Sequence, residues 1–269
     1  MRQIVVLVTC LTAFAFPVAH AQTVAVCTAV ADAATGAMLK QEGDCTVRAT
    51  PASTFKIALS LMGYDAGILK DVHEPALPFK EGYPAWRASW RSTTDPAKWM
   101  TESVVWYSQQ ITARLGEARF GDYVRAFSYG NHEVSGDPGL NNGLTRSWIS
   151  SSLEISPLEQ LAFLRGIVRR ELPVSAGAFD MTQALVDIGV QPGGWHVYGK
   201  TGTAASVSAN GKGAADKPWW GWFVGWATKD GRTVVFAQLT KAPTRPAVSA
   251  SATAREFVLR DLFASPGGF

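Results

Sequence analysis

Cysteine is scarce in this chain, three in 269 residues, and there are only four histidines. Neither Cys27 nor Cys45 has histidine near it in a ligand pattern, which excludes a structural zinc site. His73, His132 and His196 fall in no arrangement that would make a Ser–His–Asp centre, and read as structural. Long basic runs are missing too. The formal net charge of +3 is spread along the chain, which argues against a nucleic-acid partner. Charged residues reach only 17% and hydrophobic ones 47%, an ordinary globular balance rather than a disordered one. After residue 16 no apolar run is long enough to span a membrane. Internal repeats and low-complexity linkers are also absent.

What is present begins with a leader. Arg2, an apolar stretch over 4–16 and Ala19-His20-Ala21 form a signal-peptide pattern, cut before Gln22. Residues 1–21 are therefore expected to be removed, and 22–269 to form a single exported catalytic domain, periplasmic in a Gram-negative source. No membrane attachment is expected once the leader is gone. Cys10 leaves with it and lacks the small residue before it that a lipoprotein site needs. Cys27 and Cys45 then remain, an even number in an oxidising compartment. They either pair across the first hairpin or sit as two small buried apolar residues. The oligomeric state, monomer or homodimer, is not legible.

The pattern along the chain predicts strands over 24–30 and 37–41 around an Asp32–Gly36 turn. Thr50 and Pro51 read as a helix cap and first turn, followed by a helix apolar nearly all round. Residues 71–100 carry four prolines and Trp86, Trp90 and Trp99, and read as an irregular connection. Helices are expected over 103–115, 120–127, 157–170 and 178–188, the third opened by a Ser156–Glu159 capping box. The 135–147 stretch reads as a surface loop. The period then shifts to strands over 195–201, 219–228 and 233–241, the last two joined by a hairpin turn, and a helix over 252–263 closes the chain. This predicts an α+β fold: one antiparallel sheet built from 22–50 and 194–269, flanked by helices, with a helical lobe over 51–193 inserted between.

Chemistry concentrates at Pro51-Ala52-Ser53-Thr54-Phe55-Lys56. On a helix, Ser53 and Lys56 share a face. Apolar surroundings disfavour an ammonium and lower the lysine pKa. A neutral amine can take the proton of a neighbouring hydroxyl and so activate a serine nucleophile. Ser-x-x-Lys alone is weak, and a surface serine beside a snorkelling lysine would also produce it. Lys200-Thr201-Gly202 strengthens it, because Lys-Thr-Gly after an earlier Ser-x-x-Lys is the pairing found in penicillin-binding proteins and class A β-lactamases. Lys200 would supply positive potential and Thr201 a hydroxyl donor. Gly202 would let a ligand approach the backbone.

Further runs narrow the family. They are Ser103-Val104-Val105, Tyr129-Gly130-Asn131, Trp148 spaced to Leu153, Ile155 and Ser156, and Trp219-Trp220-Gly221-Trp222-Phe223-Val224-Gly225-Trp226. Together with Ser53 to Lys56 they resemble the class D, oxacillinase-type, serine β-lactamases over most of the chain. The resemblance implies hydrolysis of penicillin-type antibiotics through an acyl-enzyme on Ser53. It implies Lys56 carboxylated by carbon dioxide as general base, with no other cofactor and no metal, and the Trp148 indole holding that group. It also implies Val105 keeping the pocket dry, Ser103 relaying a proton, and the N–H groups of Ser53 and Thr203 forming an oxyanion hole. Read without the family, Trp148 and Val105 would be core packing, Tyr129-Gly130-Asn131 a turn, and the tryptophan-rich run sheet core.

One departure stands out. Members of the family carry an arginine near the start of the last helix for the substrate carboxylate. The corresponding count falls near Ser251 or Thr253, with Arg245 and Arg255 off register. Hydroxyls of Thr201, Thr203 or Ser251 are the expected partial substitutes. A β-lactam sensor domain and a peptidoglycan carboxypeptidase share the same serine and lysine, and turnover separates both from a hydrolase.

Overall fold

The computed structural model describes residues 22–206 and 217–264. The leader, Cys10 and residues 207–216 of the loop after Lys-Thr-Gly lie outside the described residues. Strands β1 (Val24–Asp32) and β2 (Met38–Gly43) form the first hairpin. Strands β3 (Asp187–Val190), β4 (His196–Ala205), β5 (Trp219–Lys229) and β6 (Arg232–Ala242) come from the far end. They pair antiparallel in the order β2-β1-β6-β5-β4-β3, so the chain's two ends meet at β1 and β6. Class and layout are those expected, α+β with one antiparallel sheet.

Helices cover both faces, and the strand alternation shows it. Trp222, Val224 and Trp226 of β5 join one buried cluster, while Phe223 and Ala227, at the alternate positions, join a second. On β6, Val235, Ala237 and Leu239 go to the first cluster, and Val234 and Phe236 to the second. Period-two burial on both faces requires a sheet sandwiched between helical layers. The tryptophan-rich run is therefore core. On one face lie α1 (Lys56–Asp65), α3 (Val105–Ala126) and α5 (Pro157–Val168). On the other, α7 (Ala250–Phe257) continues into one wider turn, Val258–Leu262.

Local signals were reliable where they closed on themselves. Ser156 caps α5 with its side chain accepting from Glu159 N–H, and the Glu159 carboxylate accepts from Ser156 N–H at 2.8 Å. Asp230 and Gly231 take the left-handed backbone (φ 49° and 77°) that a tight β5–β6 hairpin needs. Cys27 and Cys45 form a disulfide.

The structure revises other expectations. The 71–100 connection contains α2 (Pro96–Glu102), capped by the Asp95 side chain accepting from Lys98 N–H at 2.8 Å. The helix expected over 103–115 does not begin at Ser103. That residue is left-handed (φ 63°) and ends α2, and α3 starts at Val105 and runs through a break at Gly116. One helical turn, α4 (Gly143–Arg146), lies inside the expected 135–147 loop. Helix α6 (Ala176–Leu185) stops early because residues 187–190 pair with β4 as the edge strand.

Candidate active site

Ser53 sits in a 3-10 turn, Ala52–Phe55, that leads straight into α1. Ala52 before it is left-handed at φ 50°, an uncommon conformation for a side-chain-bearing residue and one that clusters at functional sites. Ser53 is half-buried, whereas Lys56 is fully buried. The Lys56 Nζ lies 3.4 Å from Ser53 Oγ. Burial pushes the Lys56 pKa well below the ordinary lysine value, and the nearby Lys200 charge lowers it further. The neutral amine that the sequence pattern requires is the form this pocket favours.

Lys200 lies in the middle of β4, paired with Val224 of β5. It is 7% exposed and its Nζ donates to the Thr201 carbonyl at 3.2 Å. Burial, and then the Arg87 charge, bring its pKa down to about 8. Thr203 Oγ1 donates to Ser251 Oγ of α7 at 2.6 Å. Thus the strand edge and the last helix meet through hydroxyls, at the place where an arginine was missing.

Gly202 has a packing reason beside the one its sequence suggested. A Cβ there would stand 2.8 Å from the Pro51 carbonyl oxygen and 3.0 Å from Thr54 N. The space on that side is taken by the turn that carries Ser53. Glycine lets β4 lie directly behind the nucleophile turn.

Trp148 is fully buried and stacked on Phe55 at 5.6 Å, the residue just before Lys56. Among the described residues its indole Nε1 has no hydrogen-bond partner, and neither does the buried Ser103 Oγ. An orphaned donor in an aromatic core costs free energy. A bound acceptor would satisfy it. Val105 is 3% exposed at the start of α3 and belongs to the same apolar wall.

Thr50 was misread. Instead of capping α1, its hydroxyl donates to the Trp148 carbonyl at 3.0 Å and accepts from Ser150 N–H at 3.0 Å. The Thr50 carbonyl accepts from Trp222 Nε1, also at 3.0 Å. Ser150 Oγ adds a bond to the Ala205 carbonyl at 2.6 Å. Sequence reasoning also passed over Gln160, whose amide donates to Thr54 Oγ1 and Tyr129 Oη at 3.3 Å each. Tyr129-Gly130-Asn131 is architectural: Asn131 Nδ2 donates to the Ser152 carbonyl at 2.8 Å, and a Cβ at Gly130 would collide with the Glu154 carbonyl oxygen. The histidines take no part. His73 pairs with Asp95 and His196 with Asp187, both at the surface.

A serine on a turn before a buried lysine, backed by a lysine-bearing strand, is the layout of the penicillin-reactive serine fold. Residues 26–264 match the penicillin binding protein transpeptidase domain. Within that fold, the chain is 46% identical over 237 residues to β-lactamase OXA-9 of Klebsiella pneumoniae, covering 88% of this chain and 86% of that protein. It is 38% identical over 214 residues to β-lactamase OXA-1 of Escherichia coli, covering 78% and 74%. The crystal structure of OXA-427, a class D β-lactamase, superposes with a TM-score of 0.82 at 46% identity, covering 88% of this chain and 96% of the other. The chain belongs to the class D β-lactamases.

Proposed function

We propose that this enzyme hydrolyses penicillin-type β-lactams through an ester on Ser53, with Lys56 as the base and antibiotic resistance as the result. The observation that carries the reading is the 3.4 Å approach of a fully buried lysine to a half-buried serine. Ser53 Oγ attacks the lactam carbonyl carbon while its proton passes to the Lys56 position. The N–H groups of Ser53 and Thr203 receive the developing oxyanion. The ring C–N bond breaks, and the nitrogen takes the proton that the base accepted from Ser53, relayed through Ser103 Oγ and favoured by the Lys200 charge, which leaves the base free again. Water then attacks the ester and gives a proton to the same base, and that proton returns to Ser53 Oγ as the penicilloate leaves. Thr201 and Thr203 offer hydroxyls to the substrate, and Val105 closes the pocket to solvent.

The residues present fit a carboxylated Lys56. Burial lowers its amine pKa and so favours the neutral form, and the Trp148 Nε1 is a donor without an acceptor among the described residues. Carbon dioxide taken up by the amine would supply an anionic base in place of a neutral one. Trp148 would hold that base, and Ser53 would face it. No metal enters this reading.

Export to the periplasm as one catalytic domain, after loss of the leader, is the matching localisation, and the Cys27–Cys45 disulfide supports an oxidising compartment. No helix among the described residues is long and apolar enough to cross a membrane. The test is mixing with a chromogenic cephalosporin, with mass spectrometry of quenched samples. Many turnovers and a transient adduct on Ser53 are expected. A single stoichiometric burst would point to a sensor or a carboxypeptidase.

A further inference from the structure

The carboxylate of a penicillin needs a cation or several donors, and arginine suits it because its planar fork bonds both oxygens. Helix α7 offers none at the strand edge. Ser251 there is occupied with Thr203, Arg255 is exposed further along, and Arg245 lies over the Trp219 ring at 5.4 Å. The connection before α2 does offer one. Arg87 is exposed and pairs with no carboxylate among the described residues, although Arg91 in the same loop is bonded to Glu81.

The Arg87 turn is fixed against the site. Trp90 N–H donates to the Arg87 carbonyl at 3.1 Å. The Trp90 indole donates to the Glu102 carbonyl at 3.2 Å, and Glu102 is the residue before Ser103. Trp106 Nε1 donates to the Trp90 carbonyl at 3.0 Å, which ties the same turn to α3 beside Val105. The Arg87 guanidinium is near enough to Lys200 for its charge to be felt there. Two neighbouring cations raise the attraction of this lip for an anion.

We propose that Arg87 binds the substrate carboxylate together with Lys200 and the Thr203–Ser251 hydroxyls, taking the place of the arginine that α7 lacks. This rests on the penicillin reading of the Ser53 site. The test is steady-state hydrolysis of benzylpenicillin and of its methyl ester by the full enzyme, by Arg87→Ala and by Arg87→Lys. For benzylpenicillin, Arg87→Ala should raise KM about tenfold with kcat within about twofold, and Arg87→Lys should recover part of the loss. The ester, which has no carboxylate, should show the same KM with the original enzyme and with Arg87→Ala. An unchanged KM for benzylpenicillin in Arg87→Ala, or an equal rise for the ester, overturns the inference. Failure of the original enzyme to open benzylpenicillin removes the reading of the site itself, and the inference with it.

Discussion

The Thr50 hydroxyl donates to the Trp148 carbonyl at 3.0 Å while accepting from Ser150 N–H at the same distance. The segment that delivers Ser53 and the turn that delivers Trp148 are therefore tied by one side chain. The Ala49–Ile155 bridge reinforces the tie, with two reciprocal N–H to carbonyl bonds of 3.0 Å.

Thr50→Val keeps the shape and removes both bonds. It should cost about 1–3 kcal/mol, because two inner backbone groups lose their partner. Urea denaturation reads the loss. Deacylation of a penicillin adduct should slow alongside it, since Trp148 is no longer held in place. A variant as stable as the parent would show that the tie is incidental.

Trp148→Phe keeps the aromatic stack on Phe55 and deletes the unpartnered indole N–H. Deacylation should fall about tenfold or more, with acylation falling less. Intact-mass measurements on quenched samples should show a lingering adduct. Equal slowing of both steps would place Trp148 in the packing alone.

How legible was all this in the sequence? The Ser53–Lys56 pair was readable because i and i+3 share a face and because the helix after it is apolar all round. The Ser156–Glu159 cap was readable because its partners are three residues apart. Thr50 was misassigned because its partners are about a hundred positions away, and a threonine before a proline looks the same in either role. Gly202 was assigned to ligand approach, yet it faces Pro51 and Thr54, residues no local pattern brings there. Residues 187 and 188 looked like the end of a helix until pairing of 187–190 with β4 claimed them. The carboxylate problem was visible as an absence at 251–253. Its proposed answer, Arg87, lies in a loop whose course depends on the Trp90 and Trp106 indoles.

Lys200 has its pKa brought down to about 8 from the ordinary 10.5. As pH rises through 8 it loses its charge, so kcat/KM should fall on the alkaline side near that value. Removing the like charge in Arg87→Ala should move this limb upward. Stability responds with the opposite sign. Between about 8 and 10.5 the unfolded chain holds the proton that folded Lys200 has released, so this group's contribution to stability rises with pH there. Activity and urea midpoints measured across that range should diverge. A flat pH profile for activity would remove Lys200 from the proton path.

Acidic buffer free of bicarbonate should lower activity, because protonated Lys56 cannot take up carbon dioxide, and added bicarbonate should restore it. Carbon-13 NMR with labelled bicarbonate should give a carbamate signal in the parent enzyme that weakens in Trp148→Phe. Equal rates with and without bicarbonate, and no such signal, would leave Lys56 acting as a plain amine.

The most direct test of the central claim is the time course of the Ser53 adduct in Lys56→Ala, followed by acid quench and intact-mass spectrometry after mixing with benzylpenicillin. With the base removed, the adduct should form slowly, map to Ser53, and then persist long after the parent enzyme has cleared its own. An adduct that forms and disappears at the parent's rate would contradict the account, because Lys56 would then serve neither half of the reaction.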